Sequence, residues 1–373
     1  MNLMQSSTRQ HEYFRNLDGL RFLGALAIIL LHIEGIKKRH GRDLLPGIDD
    51  LFTNGNHIVS LFFVLSGFLI TYLLLKEKQE TGNINLKKFY VRRILKIWPL
   101  YILIGLLGFF VLPYLSPGFS ILHGRYGNYV WLSCILYFLF LPPFSTSEGL
   151  GAAWSVRVEE FFYLLWPLFL RRSQNFVKLC IAIVAIVVVA RNSSYVLSEH
   201  VPGHWTHFLL MQMRDYRVSC MAIGGMGAYL YISGKQEILS VLYTKSVQWA
   251  VYILVFLMLT FTVNVPFLTF EVYAVLFSVI VLNLATNPQS IVKLEYKWMI
   301  YLGKISYGLY LYNPIMRILC LEGVERIFDR EISGIGMNVL FYVSTIGTTI
   351  VVSIVSYELL EKRFLSLRRK FVS

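Results

Sequence analysis

Long apolar runs recur along the whole sequence, and they limit the fold more than any other feature. Most have the length, about 17 to 25 residues, at which a helix crosses the hydrocarbon core of a bilayer. The sequence therefore predicts an all-α polytopic membrane protein with about ten transmembrane helices. The predicted spans are residues 17–36, 57–75, 97–116, 155–171, 175–191, 216–233, 246–263, 267–285, 299–320 and 335–359.

The composition agrees with one integral membrane domain over residues 1–373, and we expect no appended soluble domain. Only 15% of the residues are charged, whereas a soluble domain has about 25%. A net charge of +13 would suggest nucleic-acid binding in a soluble protein. Here the basic residues lie in short loops, where the positive-inside bias explains them, so we expect no nucleic-acid partner and a multi-pass protein of the plasma (inner) membrane.

Loop charges also decide the topology. The run at 129–143 is short and ends in two prolines, so we interpret it as a short or re-entrant segment. Ten spans then remain, both termini are cytoplasmic, and most basic loops, including Arg171 and Arg172, lie on the cytoplasmic side. The remaining anomaly is the basic stretch Lys37-Lys38-Arg39, which this topology directs outward.

The four cysteines have neither the spacing of metal ligands nor that of a disulfide framework, so we predict no metal site and no bound cofactor.

The first span carries two side chains that are unusual in a membrane. Arg21 and His32 are eleven residues apart, which on a helix places them on one face and about 16 Å apart. With the amino terminus inside, Arg21 lies near the cytoplasmic surface and His32 lies deeper. His32 is either a hydrogen-bond partner between helices or a general base, because imidazole titrates near neutral pH.

A basic stretch precedes the third span and includes Arg92, Arg93 and Lys96. It either orients the chain and contacts lipid phosphates, or it binds a phosphorylated cytoplasmic donor. In the second span, Ser66-Gly67 indicates close helix packing, although Gly67 would also let a thin ligand approach the backbone.

The segment 154–167 places two acids at the head of an apolar run. On a helix, Ser155, Glu159 and Tyr163 form one stripe. A carboxylate inside the membrane needs a partner or water. The pair Glu159 and Glu160 therefore either anchors a helix end or lines a polar pocket that binds a substrate.

These stretches, in this order, resemble the acyltransferase-3 family of integral membrane O-acyltransferases. The resemblance covers nearly the whole chain. It is carried by DGLR followed by His32, FFVLSGF, FYVRRILKIWP, WSVRVEEFFYLLWP, the glycine-rich helix after Arg217, ISYGLYLYNP and SYELLEKRF.

The resemblance implies transfer of an acyl group, usually acetyl, from cytoplasmic acyl-CoA to a hydroxyl, often of a carbohydrate on the far side. It also implies that His32 is catalytic and that Arg93 and Lys96 hold the donor, with Lys96 replacing the arginine that is usual in the family. Arg157, Phe161, Ser219 and Asn313 also depart from the usual pattern at positions that would face the acceptor or the donor, so we expect a variant substrate. A second extracytoplasmic step would need a separate protein.

Two roles follow for the site residues. We expect the donor to contact Arg21, Arg92, Arg93, Lys96, Ser66 and Gly67. We expect the acceptor to contact Trp154, Ser155, Arg157, Glu160, Tyr163, Arg217 and Asn313.

In the expected mechanism, a carboxylate such as Glu159 orients His32, which deprotonates the hydroxyl for attack on the thioester. An acyl-histidine intermediate is the alternative. A transporter or flippase is the competing class, because charges in spans also line substrate paths; the sequence has no repeated halves, which disfavours it. A scaffold without chemistry is a third interpretation. Neither the acceptor nor the acyl length follows from the sequence.

Overall fold

The computed structural model describes residues 13–42, 55–119, 130–144, 147–200, 208, 210, 212–213, 215–329 and 332–372. All regular secondary structure within these ranges is helical. Six helices are long and apolar enough to cross a membrane, and a bent pair, Gln236–Leu242 with Lys245–Thr260, brings the number to seven if it counts as one span. The protein is thus a helical, polytopic membrane protein by length and composition.

We number fourteen helices within the described ranges. They are α1 Arg15–Arg39, α2 Gly55–Thr81, α3 Leu86–Leu106, α4 Val130–Phe138, α5 Ala153–Arg172, α6 Phe176–His200, α7 Val218–Ile232, α8 Gln236–Leu242, α9 Lys245–Thr260, α10 Thr269–Thr286, α11 Lys297–Lys304, α12 Ser306–Phe328, α13 Gly334–Ser356 and α14 Lys362–Val372. A π-helical turn, Leu107–Val111, and a short α-helical turn, Leu112–Leu115, continue α3. A second π-helical turn, Tyr357–Glu361, joins α13 to α14.

Each predicted span lies on a helix, with two differences in detail. The ambiguous run contains only the nine-residue α4, which at about 1.5 Å per residue is too short to cross a bilayer. The predicted span 299–320 is broken at Ile305 into α11 and α12, and α12 continues to Phe328. Just before the break, Gly303 packs very closely against α1, because a Cβ added to Gly303 would lie 2.0 Å from the backbone oxygen of Asp18.

Contacts near both ends of the helices fix their relative directions. Gly303, at the end of α11 just before α12, packs against Asp18 near the start of α1, and Arg42 just beyond α1 binds Glu325 near the end of α12, with Nε to Oε1 at 2.6 Å. These two helices are therefore parallel.

Helices α2 and α5 are also parallel, because Ser66 donates to Glu159 and, further along both helices, Trp166 donates to Thr71.

In contrast, α1 and α2 are antiparallel. The rings of Phe14, which precedes α1, and Tyr72, in the second half of α2, lie 4.9 Å apart. Further along α1, Gly24 packs against the Phe62 ring near the start of α2. The chain therefore reverses direction between these two helices.

Glycines bring α2 and α7 into backbone contact. A Cβ added to Gly67 would lie 2.0 Å from the backbone oxygen of Met221, and one added to Gly224 would lie 2.2 Å from that of Val64. Small residues allow such close approach of membrane helices. Gly67 therefore faces α7, and its contact with the donor stays a prediction.

The basic stretch at the end of α1 is largely neutralised. Lys37 is fully buried and binds Glu34 at 2.7 Å, and Glu34 also accepts a hydrogen bond from Tyr342. Arg39 pairs with Glu148 at 3.3 Å. These cations do not act as free loop charges, which removes most of the anomaly in the loop-charge argument.

Candidate functional site

A cavity of about 350 Å³ lies between the helices that carry the predicted site residues. It is bounded by α1, α2, α3, α5, α11 and α12, and Tyr357 and Leu365 close it from the C-terminal segment. Its polar lining residues are Tyr13, Asp18, Arg21, Ser66, Arg93, Lys96, Ser155, Glu159, Tyr163, Lys304, Ser306, Tyr307, Tyr310 and Tyr357.

One end of the cavity carries a cluster of basic residues. Arg21 pairs with Asp18 at 2.8 Å, and Asp18 also accepts a hydrogen bond from Tyr13. Burial, together with the Asp18 carboxylate, raises the pKa of the Tyr13 hydroxyl above its ordinary value, so this hydroxyl remains a donor at neutral pH. Arg93 lies over the rings of Phe89 and Tyr163, 5.6 and 5.7 Å from their centroids.

The middle of the cavity is formed by the polar stripe of α5. Glu159 accepts hydrogen bonds from Ser66 at 2.9 Å and from Tyr163 at 3.0 Å, one at each carboxylate oxygen. Two turns of helix separate Tyr163 from Ser155, which donates to the Tyr310 hydroxyl at 2.8 Å. The stripe therefore extends along the cavity, with Glu159 held at its centre by two fixed donors.

His32 lies just beyond the cavity. Its Nδ1 is 3.1 Å from Oδ1 of Asn313, and it is not one of the cavity-lining residues. Tyr310, which does line the cavity, precedes Asn313 by three residues on α12, or about 4.5 Å along the helix axis. The lining residue Tyr310 thus lies about one helical turn from Asn313, the partner of the imidazole.

The contact with Asn313 fixes the state of the ring. A carbonyl oxygen can only accept, so Nδ1 of His32 must carry the proton and donate to Asn313. The other nitrogen, Nε2, then has a free lone pair and can accept a proton.

In this structure Asn313, and not Glu159, binds the ring of His32. Both carboxylate oxygens of Glu159 bind α2 and α5 side chains, whereas the ring of His32, on α1, is bound by α12. Because α12 packs in parallel beside α1, Asn313 lies at the same depth as His32.

Several predicted site residues lie outside the cavity. Arg92, Trp154, Arg157, Glu160 and Arg217 do not line it. Glu160 faces Trp98, whose Nε1 is 3.5 Å from Oε2. Arg217 is buried, and its guanidinium carbon is 3.7 Å from the centroid of the Phe270 ring and 5.2 Å from that of Trp154.

The structure also adds lining residues that the sequence did not single out. Ser306, Tyr307 and Tyr310 lie on the first turns of α12, in the same motif as Asn313. Tyr310 follows Ser306 by four residues and Tyr307 by three, which are the spacings of neighbours on one helix face, and this was the available signal. Leu365 of α14 had no such signal, since it follows the last apolar run.

A basic-ended cavity that leads toward an intramembrane histidine defines a class, namely helical membrane proteins with a polar site between their spans. Comparison with known proteins gives the family. The family model described as an acyltransferase domain matches residues 14–358. The chain therefore belongs to the acyltransferase-3 family.

Curated relatives match part of the chain. The peptidoglycan O-acetyltransferase OatA of Listeria monocytogenes is 29% identical over 185 residues, which is 47% of this chain and 27% of the relative. The Bacillus subtilis protein YrhL, named provisionally as a peptidoglycan O-acetyltransferase, is 30% identical over 174 residues, which is 45% of this chain and 25% of the relative. The matched stretch thus spans about a quarter of each relative's length. No solved structure matches the chain.

Proposed function

We propose that this protein is a membrane O-acyltransferase of the plasma (inner) membrane. It transfers an acyl group, in the simplest case acetyl, from cytoplasmic acyl-CoA to a hydroxyl of a carbohydrate or another envelope or secreted acceptor. Family membership and the names of the relatives support the reaction class. The observation that carries the proposal is the cavity, whose lining includes basic residues and Tyr310, which lies about one helical turn from Asn313, the partner of His32.

The proposed topology has ten spans and both termini in the cytoplasm. The alternating helix directions support it, since α1 and α2 are antiparallel while α12 is parallel to α1 and α5 is parallel to α2. In this topology the basic end of the cavity faces the cytoplasm, and the partners of the chain are membrane lipid, acyl-CoA, the hydroxyl acceptor and, for any second step, a separate extracytoplasmic protein.

The donor's phosphates would be bound by Arg93 as a bidentate fork and by Lys96 as a point charge, with Arg21 adding a third positive group. The thin pantetheine arm would extend along the cavity, past Ser66 and Glu159, toward Tyr310. No metal or bound cofactor takes part in this proposal, because acyl-CoA is a co-substrate.

His32 would act from its Nε2, since Nδ1 is committed to Asn313. As a general base it takes the hydroxyl proton of the acceptor while the hydroxyl oxygen attacks the thioester carbon. An acyl-histidine intermediate uses the same lone pair as a nucleophile. Ser155 and Tyr310 both line the cavity and bind each other, so that pair would open or shift if the thioester passes between them.

The test compares two histidines in purified protein reconstituted into lipid nanodiscs. With acetyl-CoA carrying a labelled acetyl group and peptidoglycan fragments or other glycans as acceptors, wild-type protein should release CoA and label the acceptor. His32→Ala should abolish both. His200→Ala, at the exposed end of α6, should retain them. Transfer that persists in His32→Ala would contradict the proposal, and acceptor movement without consumption of acetyl-CoA would indicate a transporter.

A further inference from the structure

Two buried side-chain donors beside His32 have no hydrogen-bond acceptor within the described part of the chain. They are Nδ2 of Asn313 and Nε of Arg317. Asn313 is fully buried, and Arg317 is 5% exposed. Buried polar groups in folded proteins are nearly always paired, so two unpaired donors at one place call for an explanation.

Both donors lie around the same residue. Arg317 follows Asn313 by four residues on α12, so the two side chains share a face of this helix. Asn313 binds the imidazole of His32 through its oxygen, and Arg317 donates from Nη1 to the backbone oxygen of His32 at 3.3 Å. The side chains that carry the two unpaired donors therefore both contact His32, one at its ring and the other at its backbone.

Arg317 also differs in its pairing from Arg191, another buried arginine. Arg191 is 7% exposed and binds Glu271 through two hydrogen bonds of 2.8 Å. Arg317 has no carboxylate within ion-pair distance among the described residues. A buried cation without an anion is unfavourable. A negative charge that develops at the site during the reaction explains the burial of the Arg317 guanidinium more simply than a role in folding alone.

We infer that Nε of Arg317 and Nδ2 of Asn313 form an oxyanion hole for acyl transfer at His32. This inference rests on the proposed function. The hydroxyl proton of the acceptor passes to Nε2 of His32, and the hydroxyl oxygen forms a bond to the thioester carbon. The electron pair of the carbonyl double bond moves onto its oxygen, which becomes the oxyanion.

The intermediate then collapses. The oxyanion re-forms the carbonyl, the carbon–sulfur bond breaks, and the departing CoA thiolate receives the proton from His32. The products are the acylated acceptor and CoA, and the enzyme returns to its starting protonation state. Arg317 and Asn313 donate more strongly to the oxygen while it is charged, and fixed donors of this kind typically raise kcat by about 10²- to 10³-fold each.

The experiment measures kcat and KM in the reconstituted transfer assay for Arg317→Gln and Arg317→Lys. We expect kcat to fall about 10²- to 10³-fold in Arg317→Gln, with the KM for acetyl-CoA unchanged. Guanidinium ion should partly restore kcat in Arg317→Ala, which a purely structural role would not produce. Arg326→Gln is the matched control, because Arg326 lies on the same helix, is exposed and pairs with Glu322. It should behave as wild type.

Each outcome has a distinct meaning. A wild-type kcat in Arg317→Gln, or a change confined to the KM of the acceptor, would overturn the oxyanion hole and leave the proposed function intact. Absence of transfer by the wild-type protein would instead refute the proposed function. If thermal unfolding shows that Arg317→Gln does not fold, Arg317→Lys takes its place, because it keeps the buried charge but lacks Nε. The kcat of Arg317→Lys and the guanidinium rescue of Arg317→Ala then decide the question.

Discussion

Replacing Arg93 by Ala should weaken binding of the CoA donor. The lining of the cavity contains the cations Arg21, Arg93, Lys96 and Lys304 and the carboxylates Asp18 and Glu159, so its formal charge is +2 and falls to +1 in the variant. A hydrogen bond to a charged group contributes about 1.5–3 kcal/mol. At about 1.4 kcal/mol per factor of ten, the KM for acetyl-CoA and the Kd for CoA should rise roughly 10- to 150-fold.

The neighbouring arginine supplies the control. Arg92 does not line the cavity, so Arg92→Ala should change the KM for acetyl-CoA by less than about threefold, within the range of a screened surface charge. Steady-state kinetics and CoA titration in nanodiscs, each at low and at high salt, would measure both variants. Raising the salt concentration should narrow the difference between wild type and Arg93→Ala, since one phosphate contact is missing in the variant. Equal effects of the two substitutions would refute the assignment of the cavity to the donor.

Two further predictions concern packing and the C-terminal helix. Gly67→Val should lower the free energy of unfolding by about 1–3 kcal/mol, because the new Cβ would overlap the backbone of Met221. Gly35→Val is the control, because nothing lies within 4 Å of a Cβ at that position. Equal unfolding temperatures of the two variants would contradict the packing argument. Leu365→Glu should weaken CoA binding about tenfold, since it adds a negative charge to the cavity wall. The same change at the exposed neighbouring residue, Ser366→Glu, should leave CoA binding unchanged. Equal CoA affinities of the two variants would show that α14 is not part of the donor site.

Local periodicity was sufficient to predict much of the fold and one wall of the site. The apolar runs predicted the helices because membrane-spanning length is a property of each segment alone. The stripe of Ser155, Glu159 and Tyr163 followed from the helical repeat, and all three residues line the cavity. Arg21, Arg93 and Lys96 also lie there, because their positions at span ends placed them near one surface.

Contacts between distant segments could not be read from the sequence. Asn313 and His32 are 281 residues apart, and no spacing rule relates positions on different helices. The partner predicted for His32 from the sequence was therefore a carboxylate, whereas in the structure it is the amide of Asn313. The break at Ile305 was also missed; Gly303, two residues before it, packs against Asp18 of a helix distant in sequence.

The parallel pairing of α1 with α12 has a consequence for biosynthesis. The histidine enters the bilayer with the first helix, but its amide partner arrives only when most of the chain has been made. A nascent protein stalled before α12 would carry the ring without the side chains that set its tautomer. Under the proposed function, reactivity of the ring would thus be withheld until assembly of the helices is nearly complete.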